Sequence, residues 1–433
     1  MAKYYEDAYD EEVRPRKKSS SGSTKSGSRP SGSKSSGHKS TGSKSSGRKP
    51  SGNGRKPSGN GRKPSGNGGK PSGNGRKPSG KKMSRKAQAK KKRRRIILFI
   101  IEIIILVIAV VVLYGVLSGT KSGKVDLKEE SIIINDTVKE AEETTMKGYR
   151  NIALFGVDST TGALTKNTRS DTIMIASINQ DTGECKLVSV YRDTYLNLGN
   201  DSYNKCNAAY AKGGPEQAIN MLNMNLDMNI TDFVTVGFAG LADTIDALGG
   251  VYIDVDDAEI NHLNNYQLCI ADDLKRSYTP VTSTGYQLLD GLQATGYCRI
   301  RYTAGDDFKR AERQREVLSA VADQAKKASL AKLTETANAV FSEVYTSLDL
   351  SEIIDMLGSV SNYYISDTAG FPQETDRATG TIGSKGSCVV PTSLEENVKW
   401  LHQFLFDDVN YEPSATVKEC SDEIYAETNG YLH

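Results

Sequence analysis

The chain has 433 residues, with 56 Lys and Arg against 53 Asp and Glu, and a net charge of +3. The charges are unevenly spread, because residues 1–95 hold 29 basic and 5 acidic residues, whereas the remainder holds 27 basic and 48 acidic ones. The composition therefore excludes a uniformly charged chain and predicts a basic arm joined to an acidic body.

Residues 1–95 form the basic arm. They are mainly Ser, Gly, Lys, Arg and Pro, and the unit SGNGRKP recurs every seven residues from Ser51 to Pro78, once as SGNGGKP. Because almost nothing here is apolar, we expect disorder, and the repeat is no coiled coil. The arm either binds an anionic lipid, nucleic acid or cell-wall polymer or acts as a solvated tether. Charge alone identifies no ligand, and we expect no specific nucleic acid.

Residues 96–117 read IILFIIEIIILVIAVVVLYGVL and follow a basic cluster that ends at Arg95. A segment of this length and apolarity can cross about 30 Å of hydrocarbon. It is too long and too far from the N-terminus for a signal peptide. The basic cluster predicts a cytoplasmic N-terminus. We therefore expect a single-pass protein of the cell membrane, in contact with membrane lipid, whose body lies outside the cytoplasm.

Six cysteines follow the predicted span, and an even number there permits disulfides. Three lie in strand-like segments and three in loop-like ones, at positions 185, 206 and 298 and at positions 269, 388 and 420 respectively. The sequence leaves their pairing open.

The external part begins with a polar spacer over 118–147 that has room for a short helix. From 148 to 411, strand-like and helix-like segments alternate, which predicts an α/β layer fold with one sizeable core. Within it, TGYQLLDGLQATGYCRIRY is predicted to be a short helix and then a strand, and the Gly-rich stretch before CVVPTSL is predicted to be poor in strands. Residues 412–433 are predicted to be a loose acidic tail.

A helix is predicted over Asp306 to Lys327. Its apolar stripe is formed by Val317, Leu318, Val321 and Ala325. Towards the N-terminus the same stripe continues into Asp307, Arg310 and Gln314. Because buried unpaired charge is costly, we expect a charged group to meet this end of the helix.

Arginines recur at predicted strand ends. Arg169 and Asp171 share a face of one strand, Arg192 and Asp193 follow another strand, and Arg299 and Arg301 share a face of the predicted YCRIRY strand. Guanidinium groups suit phosphate oxygens, and a pair of carboxylates suits magnesium bound to a phosphate. The pattern predicts a site for a diphosphate, with Asp307 placed for acid–base work.

The sequence also disfavours two other chemistries, catalysis by histidine and nucleotide binding. The histidines, at positions 38, 262, 402 and 433, lie outside these motifs, which argues against histidine catalysis. A Walker A pattern is absent from the sequence, so a nucleotide is not the indicated ligand.

The ordered motifs NIALFGVD, RSDTIMI, LVSVYRDTYL, YNKCNAAYAKGG, IDALGGVYIDV, LDGLQATGYCRIRY and GDDFKRAERQREVL resemble the LytR–CpsA–Psr family over residues 149–320. The departures, at Tyr191, Cys206 and Lys309, remove no charged position. The resemblance implies a central mixed β-sheet flanked by helices. It also implies an enzyme that moves a glycopolymer sugar-phosphate from a polyprenyl pyrophosphate to a peptidoglycan hydroxyl, with Mg²⁺ or Mn²⁺.

The resemblance also implies residue roles. Asp171 and Asp193 would hold the metal, and Asp307 would act as base or position an arginine, with Arg192 and Arg299 as further catalytic residues. Asn207 and Tyr210 would support the site from behind. The pyrophosphate would be gripped by Arg169, Arg192, Arg299, Arg301, Arg310, Arg313 and Gln314.

The lipid tail needs an apolar cavity. Its candidate residues are Ile219, Leu222, Leu241, Ile245 and Leu248, although ordinary core packing explains each of them equally well. Two alternatives to a transferase stay open: a lipid-pyrophosphate phosphatase, and a non-enzymatic membrane regulator or wall-polymer-binding module.

Overall fold

A computed structural model describes residues 123–159, 164–165 and 168–432. The predicted basic arm and the predicted span over 96–117 lie outside these residues. Within the described part of the chain, no helix is long and apolar enough to cross a bilayer.

The strands are β1 (Tyr149–Val157), β2 (Ser170–Asn179), β3 (Glu184–Val190), β4 (Tyr195–Asn197), β5 (Tyr203–Lys205), β6 (Asp232–Val236), β7 (Val251–Val255), β8 (Gly285–Leu289), β9 (Val344–Thr346), β10 (Tyr364–Phe371), β11 (Arg377–Thr381) and β12 (Ser387–Pro391). The α-helices are α1 (Asp136–Ala141), α2 (Asn207–Leu226), α3 (Phe238–Leu248), α4 (Asp257–Leu274), α5 (Gly291–Tyr297), α6 (Asp306–Lys327), α7 (Leu330–Val340), α8 (Leu350–Gly358), α9 (Leu394–Phe406) and α10 (Ala415–Thr428).

A six-stranded sheet organises the fold, in the order β10-β3-β2-β1-β6-β9. β2 is antiparallel to β1 and to β3, whereas β6 is parallel to β1 and β10 is parallel to β3. The remaining strands form three two-stranded sheets, β4-β5, β7-β8 and β11-β12. The prediction of a mixed sheet flanked by helices is confirmed.

The two faces of the sheet pack differently, because alternate residues of a strand point to opposite sides. On one face, residues such as Ala153, Phe155 and Ile175 join the main core with α2, α9 and α10. On the other face, Ala176 and Leu187 pack near α6. The predicted helix over 306–327 is confirmed, and it lies on this second side.

The segment TGYQLLDGLQATGYCRIRY was predicted in the wrong order. β8 comes first, and α5 follows it, opened by a capping box between Asp290 and Gln293. The predicted YCRIRY strand does not form, because the N–H groups of Arg299 and Ile300 donate to carbonyls three residues earlier, at Gly296 and Tyr297. Arg299 and Arg301 therefore lie in a turn between two helices.

Two other segments also differ from their predictions. The Gly-rich stretch contains β10 and β11, and β11 pairs as an antiparallel ladder with β12, which runs through CVVP. The predicted loose tail contains α10, whose Val417, Cys420 and Ile424 are buried at helical spacing against the core.

The cysteines are free thiols, so the structure forms none of the permitted disulfides. Cys185 lies in β3 as predicted. Cys206 immediately precedes α2, Cys269 lies in α4, Cys298 follows α5, Cys388 lies in β12 and Cys420 lies in α10. These five positions correct the predicted assignment.

Candidate active site

The site lies where β2 begins and β3 ends. Because these strands are antiparallel neighbours, Asp171 near the start of β2 and Arg192 just after β3 come to the same edge of the sheet. Nη1 of Arg192 donates a hydrogen bond to Oδ1 of Asp171 at 2.7 Å.

A β-bulge positions Asp171. Val157 of β1 pairs with Ser170. The neighbouring Gly156 pairs with Thr172, so Asp171 between them has no partner in β1. A bulge bends its strand and re-aims the extra side chain. The strict alternation that the sequence analysis assumed for this strand is broken at the residue that meets Arg192.

Arg192 stands at the centre of the site, which we call the arginine cluster (Asp171, Arg192, Asp193, Arg299, Arg301, Asp307 and Arg310). Besides its bond to Asp171, its Nε lies 3.5 Å from Oδ2 of Asp307 and 3.8 Å from Oδ2 of Asp193. One guanidinium group thus faces three carboxylates from separate segments of the chain.

The first turns of α6 contribute Asp307 and Arg310. Oδ2 of Asp307 accepts a hydrogen bond from Nη2 of Arg310 at 3.0 Å, and its Oδ1 lies 3.5 Å from Nε of Arg301. Nη2 of Arg310 also donates to the backbone oxygen of Asp171 at 3.3 Å. Asp307 therefore stands among three guanidinium groups. Of the two roles predicted for it, catalytic base or positioning of an arginine, this arrangement favours the second.

Arg299 approaches the cluster from the turn after α5. Its guanidinium lies over the ring of Phe238, 4.5 Å from the centroid, and 5.2 Å from the centroid of Tyr266. Its charge is among those that lower the pKa of Asp171. The rings thus hold the Arg299 guanidinium close enough to Asp171 for its charge to act on that carboxylate.

The electrostatics of the cluster fit an anionic ligand. Burial alone would raise the pKa of Asp171, but the charges of Arg192 and Arg310 outweigh it and the pKa is lowered. Burial and the like charge of Arg192 lower the pKa of Arg310, despite Asp307. Arg310 is only 5% exposed, so this guanidinium is buried beside another cation, where an anion would stabilise it.

Three buried polar atoms of the cluster have no hydrogen-bond partner among the described residues: Nε of Arg192, Nε of Arg310 and Oδ1 of Asp307. Each such group costs about 1–3 kcal/mol. Natural proteins keep few of them, and a cluster of them is typical of a binding site. Phosphate oxygens would satisfy both Nε–H donors.

In the part of the chain that the structure describes, three of the predicted site residues do not bind the carboxylates of the arginine cluster. Arg313 donates to Oε1 of Glu259 at 2.7 Å, to the carbonyl of Ile300 and to the hydroxyl of Thr303. Its guanidinium is therefore already occupied by the protein.

Gln314 donates a hydrogen bond to the carbonyl of Cys298 at 3.4 Å. Arg169 is exposed just before β2 and, within the described part of the chain, makes no ion pair with the cluster. Pyrophosphate binding by these two residues and by Arg313 stays a prediction.

Asn207 and Tyr210 lie in the first turn of α2, and their support of the site stays a prediction. The backbone N–H of Asn207 donates to the carbonyl of Arg192 at 3.1 Å. The hydroxyl of Tyr210 donates to the carbonyl of Leu164 at 2.5 Å and accepts a hydrogen bond from the hydroxyl of Thr235 at 2.9 Å, and its ring packs on Phe155. The first turn of α2 thus holds the loop that carries Arg192.

Lys205 was not predicted from the sequence. Its ammonium lies 3.1 Å from Oδ1 of Asp193 and adds a cation at the edge of the cluster. The residue stands in the quoted motif YNKCNAAY, so the signal was available. A lysine in a short polar strand was indistinguishable from a surface residue.

An apolar cavity of about 490 Å³ lies between the sheet and helices α6, α7 and α8. Leu318, Val321 and Ala325 of α6 line it. Leu318 follows Arg310 by eight residues, about 12 Å along the helix axis. One helix therefore carries part of the arginine cluster at its start and one wall of the cavity in its second half.

The predicted tail residues match this cavity at one position. Leu248 lines it, whereas Ile219 and Leu222 are buried in the main core. Ile245 is buried in a second apolar cluster, and Leu241 packs against that second cluster. Ordinary core packing, the alternative considered for each residue, applies to these four. The cavity is instead built from residues distant in sequence that meet only in the folded chain.

The chemistry of Asp171 and Asp193 fits a magnesium ion. Magnesium is commonly held by one or two carboxylates, with phosphate and water oxygens as its other ligands. In the part of the chain that the structure describes, no three His, Cys, Asp or Glu side chains are grouped to hold a metal on their own. Two carboxylates would need further oxygen ligands, such as those of a bound phosphate, to complete such a shell.

The sequence profile of the LytR_cpsA_psr family matches residues 113–384. The chain belongs to this family. The match includes the sheet, the arginine cluster and helices α1 to α8. The resemblance found in the motifs is thereby confirmed.

Curated members of the family are similar over part of their length. The polyisoprenyl-teichoic acid–peptidoglycan teichoic acid transferase TagV of Bacillus subtilis is 31% identical over 189 residues, which are 42% of this chain and 46% of TagV. The transferase TagU of Oceanobacillus iheyensis is 30% identical over 215 residues, 48% of this chain and 61% of TagU. The chain thus spans about half the length of these relatives.

Solved structures share the fold. A protein from Enterococcus faecalis described as a transcriptional regulator superposes with a TM-score of 0.51 at 25% identity, over 66% of this chain and 98% of that chain. TagT bound to LIIa-WTA superposes with a TM-score of 0.50 at 23% identity, over 66% and 100% of the two chains.

Proposed function

We propose that this protein is a membrane-anchored phosphotransferase that acts outside the cytoplasm. It takes a glycopolymer carried on a polyprenyl pyrophosphate and transfers the sugar-phosphate to a hydroxyl group of peptidoglycan. The observation that carries the proposal is that one helix, α6, contributes residues both to the arginine cluster and to the apolar cavity. The arginine cluster suits a pyrophosphate and the cavity suits a lipid tail. The activity named for TagV and TagU supports the same reaction.

The reaction forms one phosphorus–oxygen bond and breaks another. The acceptor hydroxyl oxygen attacks the phosphorus that bears the sugar, the bond from that phosphorus to the bridging oxygen breaks, and polyprenyl phosphate leaves. The hydroxyl proton passes to a carboxylate of the site or to water. Arg192 and Arg310 would neutralise the charge that spreads over the phosphate oxygens, and Asp307 would hold both guanidinium groups in place.

Asp171 and Asp193 would hold a magnesium or manganese ion beside the substrate. Such an ion supplies positive charge to phosphate oxygens. Arg192 bonds to Asp171 and faces Asp193, so it orients both carboxylates whether or not the ion is bound.

The membrane location rests on the sequence of residues 96–117, with the basic cluster on its N-terminal side. An anchor of this kind would keep the domain beside a substrate that is itself confined to the bilayer. The membrane attachment and the transfer reaction support each other, since a lipid-borne donor is accessible only at a membrane surface.

The test is product analysis with the full chain. The protein is incubated in detergent with a polyprenyl-pyrophosphate sugar and Mg²⁺, with and without peptidoglycan fragments, and the lipid and sugar products are identified. We expect polyprenyl phosphate to form together with sugar-phosphate attached to the fragments. Arg192→Met should lower turnover by about 10²–10³-fold.

Arg276→Met is the matched control, because Arg276 pairs with Asp243 outside the cluster, and its turnover should equal that of the native chain. Release of lipid phosphate at the same rate without fragments would make the protein a phosphatase. Binding of the lipid without turnover would make it a regulator or binding module.

A further inference from the structure

The described chain enters the domain beside the apolar cavity. The carbonyl of Gly123 accepts a hydrogen bond from the N–H of Thr346 at 2.8 Å. Gly123 packs so closely on the carbonyls of Val344 and Phe341 that no Cβ would fit there. Val344 and Phe341 both line the cavity. Lys124 adds an ion pair to Asp349, the residue before α8, at 2.9 Å.

This entry point limits how far the cavity can lie from a bilayer. The predicted membrane segment ends at residue 117, so six peptide steps separate it from Gly123. At about 3.3–3.6 Å a step, they reach about 20 Å when fully extended. If the predicted segment spans the membrane, the cavity wall at Phe341 and Val344 stands within that reach of the bilayer surface.

The two helices that flank this wall, α7 and α8, which we call the rim helices, carry apolar residues that the protein does not fully cover. Ile353, Met356 and Leu357 of α8 line the cavity, yet no residue of α8 is fully buried. Leu330 at the start of α7 is 53% exposed. Large apolar side chains left open around an apolar cavity mark a surface that meets another apolar phase.

The charges on α7 and at its approach do not make this surface basic. Lys332 pairs with Glu335 at 3.3 Å, and Lys326 pairs with Asp323 at 3.5 Å. Because these cations are matched locally by carboxylates, attraction to anionic headgroups contributes little. A contact with lipid here would depend on apolar side chains, and salt would affect it weakly.

We propose that the rim helices rest on the outer surface of the phospholipid bilayer, so that the cavity between them opens towards the lipid. The inference rests on the proposed function, because a membrane-borne lipid donor requires such an entrance. It adds an orientation. α7 and α8 face the bilayer, while α9 and α10, packed on the other face of the sheet, face away from it.

The test uses the full chain reconstituted in phosphatidylcholine vesicles with brominated acyl chains, which quench a nearby indole. The sequence has a single tryptophan, Trp400, and it lies in α9 on the face predicted to point away. Leu330→Trp places a second indole on the rim helices. Tyr425→Trp places one on α10 at a residue that is 62% exposed, and it serves as the control.

After the native emission is subtracted, the indole of the Leu330→Trp variant should lose at least half of its emission in brominated vesicles, in low and in high salt. The Tyr425→Trp variant should lose less than a tenth. Equal quenching of the two variants, no quenching of Leu330→Trp, or failure of the chain to join vesicles would overturn the inference. The measurement needs no turnover, so an inactive but correctly oriented protein would refute the proposed function and leave this orientation standing.

Discussion

The buried pair Arg313–Glu259 offers a sharp test of what the arginines of α6 do. Arg313 is 1% exposed and Glu259 is 4% exposed, with Nε and Oε1 2.7 Å apart. Oε2 of Glu259 also accepts the N–H of Asp256 at the start of α4. Arg313→Met would leave the Glu259 carboxylate buried without a counter-charge, which costs about 3–5 kcal/mol. That is a large share of the roughly 5–15 kcal/mol that stabilises a typical domain.

Urea unfolding followed by circular dichroism measures this cost. The double variant Arg313→Met with Glu259→Gln should recover at least half of the lost free energy, since the amide oxygen still caps α4 and no charge is left unpaired. If Arg313→Met is instead as stable as the native chain within about 1 kcal/mol but has lost turnover, Arg313 does not serve mainly to neutralise buried Glu259. The sequence-based prediction that Arg313 grips pyrophosphate would then stand.

Arg310→Met should lower kcat/KM by about 10–100-fold, the value of a charge-assisted hydrogen bond. It should change the free energy of unfolding by less than about 1 kcal/mol, because burial and Arg192 already lower the pKa of Arg310. A loss above about 3 kcal/mol in urea unfolding would contradict this. Asp193→Asn should raise the Mg²⁺ concentration needed for half-maximal turnover at least about tenfold, corresponding to 1.4 kcal/mol. It should also weaken the rise in melting temperature that Mg²⁺ and pyrophosphate give together. An unchanged dependence of turnover on Mg²⁺ would show that Asp193 does not hold the metal. Burial lowers the pKa of His402 from 6.5 to about 4. Its neutral form therefore stabilises the fold fully above pH 6.5, and up to about 3 kcal/mol of the free energy of unfolding is lost as the pH falls to 4. His402→Gln should flatten this part of the stability–pH curve, and an unchanged slope would show that His402 does not cause the loss.

Local patterns in the sequence singled out the charged residues that meet in the arginine cluster, whereas their roles in binding and catalysis stay predictions. Arg192 follows a clear apolar strand, and Asp307 and Arg310 open a helix with a clear apolar stripe. Such signals depend on neighbours in the chain. Their convergence at one end of the sheet follows from the antiparallel pairing of β2 and β3, which was not predicted from the sequence.

The failures arose where tertiary contacts decide local structure. The bulge at Asp171 depends on its register with β1, and a single strand does not reveal its partner's register. Arg313 has the same spacing signal as Arg310, but it is taken by Glu259, which lies 54 positions earlier in the chain. The cavity likewise forms where α6, α7 and α8 meet the sheet, and no single segment predicts a void between elements.

Helix α10 has a practical consequence for anyone who handles this protein. Its acidic, poorly patterned sequence invites trimming at residue 411 to improve expression. That cut would strip Val417, Cys420 and Ile424 from the protein interior and lay bare the side of α2 beneath them. We would expect the truncated protein to aggregate, because it exposes this apolar face, even though every residue of the arginine cluster is intact.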